Sequence, residues 1–168
     1  PEITQVPIGY FLEDIAKDVA ILKGERVREI GFSYCGNIDQ YFFEQITNNC
    51  PHLESLELGF DPAQCELDLS AKKQKLIALV RQCTRLHTLK ISQCSYLSTQ
   101  FIKEIIEACS SRLMHLELYE SNLLSNEFFA NLAKCSRLKT FKFKPIITKF
   151  KTHPRAGAIL SKDNLKHL

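Results

Sequence analysis

What most constrains this chain is a short apolar motif that keeps returning: a leading apolar residue, a second one three positions on, and a third two beyond that. The clearest copy opens the stretch Leu113 to Leu138, where Leu113, Leu116 and Leu118 carry the alternation of a short strand with one buried face. A corner at Ser121 and Asn122 follows, and then Phe128, Phe129, Leu132 and Cys135 recur at helical spacing. Matching triplets are Val27/Ile30/Phe32, Leu53/Leu56/Leu58, Leu86/Leu89/Ile91 and Leu138/Phe141/Phe143, with a sixth opening at Leu165. By subtraction the steps between openings are 26, 33, 27, 25 and 27 residues. One strand plus one helix cannot bury its own apolar face, so units of this size are stable only when about three or more stack. Five and a fraction are present.

The helical halves repeat as faithfully as the strands. Phe42, Phe43, Ile46 and Cys50 correspond to Leu76, Leu79, Val80 and Cys83, and to Phe101, Ile105, Ile106 and Cys109. Four of the seven cysteines therefore share one position, shortly before the next strand, and Cys35 and Cys94 share another, three residues past the last strand anchor. Equivalent residues of stacked units form a ladder, in which a free thiol acts as a small hydrophobe. Cys65 alone falls out of phase. No C-x-x-C pair supplies the usual zinc spacing, and an odd count of mostly in-phase thiols predicts a reducing, intracellular setting.

The segments Cys50-x-x-Leu53, Cys83-x-x-Leu86, Cys135-x-x-Leu138, Cys35-x-x-Ile38-Asp39 and Cys94-x-x-Leu97-Ser98 resemble the cysteine-containing leucine-rich repeats of F-box proteins. The resemblance covers about residues 27 to 144. It implies an α/β leucine-rich-repeat solenoid of the ribonuclease-inhibitor type, a horseshoe with a parallel sheet on the concave side and helices on the convex side. It also implies substrate recognition for a ubiquitin ligase. A scaffold or regulator outside the ubiquitin system, a microbial effector among them, fits the same repeats, because one fold hosts many partners.

Residues 1–26 read as a loop and a helix, with Phe11, Ile15, Val19 and Leu22 on one face and Gly24 to end it. This segment caps the array or completes a preceding unit. Residues 27–168 hold the repeats, and the second unit is longer than its neighbours, which predicts a rim loop near 59–70. The carboxylates there, Asp61, Glu66 and Asp68, match neither the number nor the spacing of a calcium loop. The last unit, 138–164, diverges: Pro145 and Pro154 interrupt it, and a short helix is expected over about 156–160. The start at Pro1 and the half strand at Leu165 to Leu168 predict a piece of a longer protein. No run of 18 or more apolar residues is present, so no membrane span is expected.

If the anchors point inward, the residues between them line the open face of the sheet. Reading across units gives the rows Glu29/Ser55/Thr88/His115/Thr140, Gly31/Glu57/Lys90/Glu117/Lys142 and Ser33/Gly59/Ser92/Tyr119/Lys144. The expected partner contacts on this concave face are Glu57, Lys90, Ser92, His115, Glu117, Tyr119, Lys142 and Lys144, with Tyr119 as an exposed aromatic anchor.

Charge divides unevenly along the chain. Residues 1–127 carry 12 basic and 18 acidic side chains, a net of −6, whereas residues 128–168 carry 10 and 1, a net of +9. The two give the overall +3. The basic end gathers Lys139, Lys142, Lys144, Lys149, Lys151 and Arg155, interleaved with Phe141, Phe143 and Phe150, and suits an acidic or phosphorylated partner. Nucleic acid is disfavoured, since no reading module is recognisable. Five scattered histidines without a triad, a phosphate loop or an H-E-x-x-H motif predict no catalysis, no metal and no cofactor.

Overall fold

The structure, a computed structural model, describes residues 26–32, 40–60, 69–93, 97–121, 125–145 and 158–161. Among the described residues strands and helices alternate as far as β5, and a further strand follows: β1 (Glu29–Phe32), α1 (Gln40–Asn49), β2 (Ser55–Gly59), α2 (Leu69–Gln82), β3 (Thr88–Ser92), α3 (Thr99–Cys109), β4 (His115–Ser121), α4 (Asn126–Leu132), β5 (Thr140–Pro145) and β6 (Ala158–Ser161). The six strands form one sheet in chain order. β1 to β5 are parallel, each joined to the next through a helix, and the arrangement is α/β and leucine-rich-repeat-like.

Each strand sits where the apolar alternation puts it. Ile30, Leu56, Leu89, Leu116 and Phe141 stand side by side in the register, and all are buried. Their partners in the core are helix residues at helical spacing, such as Phe101, Ile102, Ile105, Ile106 and Cys109 of α3. Fully burying one such side chain contributes about 1.5 to 3 kcal/mol before entropy is charged against it. Aromatic edges add to the seal, with Phe60 and Phe101 meeting edge to face at 6.4 Å and Phe128 lying 5.8 Å from Phe141.

The leading residues Val27, Leu53, Leu86, Leu113 and Leu138 are buried too, but they precede the strands by two residues. A backbone device sits in that gap. The carbonyl of Arg28 accepts from the N–H groups of Glu54 and Ser55, and Glu54, His87 and Met114 repeat the arrangement toward the following unit. The strands are thus in register before their ladders begin.

The cysteine column has a local cause. At the end of each helix the Cys carbonyl accepts the N–H of the next leading leucine, Cys50 from Leu53, Cys83 from Leu86, Cys109 from Leu113 and Cys135 from Leu138. These bonds close the helix-exit turn, and the side chain at that position is buried, as suits a small apolar group. All four thiols are buried and free. Two helix starts share one cap. Ser98 and Ser125 take extended backbone and accept from Phe101 N at 3.2 Å and Phe128 N at 3.1 Å.

The divergent unit departs from the expected short helix. Residues Ala158 to Ser161 form β6, which pairs antiparallel with β5, Phe143 opposite Ala158 and Thr140 opposite Ser161. Helical spacing in Ala156 to Leu160 is too short to decide between the two, and the open edge of β5 offers a ladder of hydrogen bonds that an isolated turn of helix lacks. Part of the expected rim loop also belongs elsewhere. Gly59 ends β2, Phe60 packs into the core, and Leu69 and Ser70 begin α2. Residues 61–68 lie outside the described residues, as do the N-terminal segment up to residue 25 and the opening at Leu165.

Candidate partner-binding face of the sheet

Two rows expected on the face opposite the helices are in register. Ser55, Thr88, His115 and Thr140 pair successively, as do Glu57, Lys90, Glu117 and Lys142. Tyr119 stands opposite Lys144, and Gly59 opposite Ser92. None of these is buried except Gly59, which the end of β2 carries into the interior. Ser33 lies outside the described residues.

The middle row alternates in sign across the strands. Lys90 Nζ stands 3.8 Å from Glu57 Oε2, and Lys142 Nζ 2.8 Å from Glu117 Oε1. Tyr119 donates its hydroxyl to the other oxygen of Glu117. Burial raises the pKa of Glu117, but the hydrogen bonds from Lys142 and Tyr119, with the charges of Lys142 and Lys90, outweigh it and hold the carboxyl below its usual range. The same contact to Glu117, then burial, pushes the Tyr119 phenol up to about 12. Tyr119 is therefore half-buried with its hydroxyl engaged, whereas sequence alternation predicts an exposed anchor.

Two histidines lie beside that row, His115 in the neighbouring row and His87 one residue before Thr88. His87 and His115 rings lie 6.4 Å apart, edge to face. His87 Nδ1 lies 3.0 Å from Thr88 Oγ1, and His115 Nδ1 lies 2.8 Å from Thr140 Oγ1. Burial, followed by His87 and Lys139, lowers the pKa of His115, so it is neutral near pH 7. Glu54 serves both Arg28 at 3.6 Å and His87 at 3.8 Å. Ser92 turns its hydroxyl to the Leu58 carbonyl at 3.3 Å.

Part of the basic end lies among the described residues. Lys142 is engaged with Glu117, while Lys139 and Lys144 are exposed and have no ion pair among the described residues. Lys149, Lys151 and Arg155 lie outside the described residues. Among the described residues no three His, Cys, Asp or Glu side chains gather to hold a metal, and no helix is long and apolar enough to cross a membrane.

The chain matches no protein-family model and no curated protein. Its fold has a solved counterpart. The chain is similar, at 15% identity and a TM-score of 0.53, to a chain in the crystal structure of the Rad7 and Elc1 complex of yeast. The match covers 79% of this chain and 35% of that one, so the present sequence spans about a third of its neighbour's length. At that identity the likeness is one of fold.

One residue that shapes the opposite side of the array is not among the expected ones. Arg112 donates from Nη1 to the Ala108 carbonyl at 3.1 Å and from Nη2 to the Val80 carbonyl, so one guanidinium ties the C-terminal ends of α2 and α3 together. Its signal is legible as a column of basic residues just before the leading leucine: His52, Arg85, Arg112 and Arg137.

Proposed function

We propose that this chain is a protein-interaction module that receives its partner on the helix-free face of the sheet, the concave side of a horseshoe, and that it recognises substrates for a ubiquitin ligase inside the cell. The observation that supports the interaction reading best is the register itself: four neighbouring parallel strands bring Ser55, Glu57, Thr88, Lys90, His115, Glu117, Thr140 and Lys142 into two continuous polar rows that no helix covers among the described residues. Such a surface offers many hydrogen-bonding groups on a rigid frame. The ligase reading rests on the resemblance of the repeats to those of F-box proteins. The fold's likeness to a chain in a two-protein complex of yeast agrees with a role in binding proteins.

Affinity purification of the full-length protein from its own cells, followed by mass spectrometry, tests the reading. Ligase subunits in the eluate support the adaptor role. A stable partner of another kind, without them, turns the assignment to a scaffold or regulator.

A further inference from the structure

We infer that β5 and the corner leading into it bind an acidic segment of a protein partner, laid across the helix-free face so that its carboxylates meet Lys139 and Lys144. The inference rests on the reading of that face as the partner surface. It follows from where charge is left over. Three carboxylates along the sheet are engaged: Glu54 with Arg28 and His87, Glu57 with Lys90, and Glu117 with Lys142. The centre of the face thus presents charges that cancel, and it attracts neither sign strongly.

The β5 end differs. Lys139 and Lys144 are exposed without an ion pair among the described residues, and no carboxylate lies on β5. Between them the 2.8 Å contact of His115 and Thr140 and the half-buried Tyr119 provide polar and aromatic groups already held in place. Along a strand the two lysines are separated by about 17 Å, the length of an extended peptide of roughly five residues. Residues 146–168 continue in the same sense, with Lys149, Lys151, Arg155, Lys162 and Lys166 against Asp163 alone. Single-stranded nucleic acid suits the site less well, because binding it relies on exposed aromatic rings for stacking, and Tyr119 is half-buried with its hydroxyl committed.

The test is a fluorescence-anisotropy titration of the full chain with a fluorescein-labelled oligoglutamate peptide long enough to span β5. Binding should weaken as salt is added. Lys139→Glu combined with Lys144→Glu should weaken it about tenfold. Arg81→Glu with Arg85→Glu makes the same change in net charge away from the face and should leave affinity within about twofold. Equal losses in the two double variants, no binding of the peptide, or tighter binding of an oligothymidylate of equal length would each overturn the inference. Because the assay contains no ligase component, a failed titration alongside recovered ligase subunits sinks this inference alone, and the converse sinks the ligase role alone.

Discussion

Lys142 and Glu117 stand on adjacent parallel strands with 2.8 Å between Nζ and Oε1, and Tyr119 closes on the same carboxylate from two residues further along β4. The Glu117 side chain is only 12% exposed, whereas that of Lys142 is 42% exposed. The carboxylate is therefore the fixed member and the lysine the adaptable one. A double-mutant cycle with Glu117→Gln and Lys142→Met should give a coupling of about 0.5 to 1 kcal/mol by urea denaturation, as for half-exposed pairs. A coupling indistinguishable from zero would mean the contact contributes nothing in solution.

Acid should weaken the fold in two stages. His115 has a folded pKa below its ordinary 6.5, so the native state favours its neutral form. The stability this confers is complete above 6.5 and is lost as pH falls from there through the lowered folded value. Glu117, held below its ordinary 4.5, behaves in the same sense but later, losing its contribution as pH falls below 4.5. Chemical denaturation at a series of pH values should show both declines, and His115→Gln should flatten the first. A variant with an unchanged profile between pH 7 and 5 would remove His115 from the account.

Leu116 is fully buried at the centre of the strand row. Leu116→Ala should cost about 2 to 5 kcal/mol, the range for a large buried side chain whose cavity only partly collapses. A loss under about 0.5 kcal/mol would mean that Leu116 does not stand in the core.

Arg112→Ala leaves the carbonyls of Val80 and Ala108 without this donor at the end of two helices. The expected loss is about 1 to 3 kcal/mol. Amide exchange should speed up at the C-terminal turns of α2 and α3 ahead of the sheet. Uniform acceleration across the molecule would assign the effect to global stability instead of the clamp.

The four thiols of the column should resist alkylation. Burial above all raises their pKa values, to about 12 for Cys50 and Cys109 and about 11 for Cys83 and Cys135. Thiolate, the reacting form, is therefore scarce at neutral pH. Iodoacetamide followed by peptide mapping should label them in denaturant and spare them in the native protein. Native labelling at Cys109, whose Sγ also donates to the Ile105 carbonyl at 3.3 Å, would contradict its place under the helix-exit turn.

Most of the fold was legible because each unit repeats its instruction. The spacing Leu113, Leu116, Leu118 fixes which residues of β4 face inward, and parallel stacking then aligns equivalent residues without further information. The rows of the candidate face follow by counting, down to Glu57 beside Lys90 and Glu117 beside Lys142. What counting does not give is depth. Gly59 and Tyr119 both fall in face positions, yet one is buried by the end of its strand and the other turns toward Glu117. Strand β6 was illegible for a related reason: Ala158 to Ser161 contains too few residues to carry a period, and its conformation is set by the vacant edge of β5. Arg112 was visible only as a member of a basic column whose purpose needs the neighbouring helix to be seen.

The reversed direction of β6 also governs what the molecule can become. A sheet ending in β5 would expose the same direction of chain and the same side-chain repeat that each unit offers its successor. The leading strand of a second molecule would be able to settle there as though it were the next unit. That contact is head to tail and never closes, so it would propagate into a filament. With Phe143 matched to Ala158 and Thr140 to Ser161, that seam is filled by the chain itself, in the opposite sense. Within the described residues the repeat pattern therefore changes sense at β5 instead of handing on to a further parallel strand.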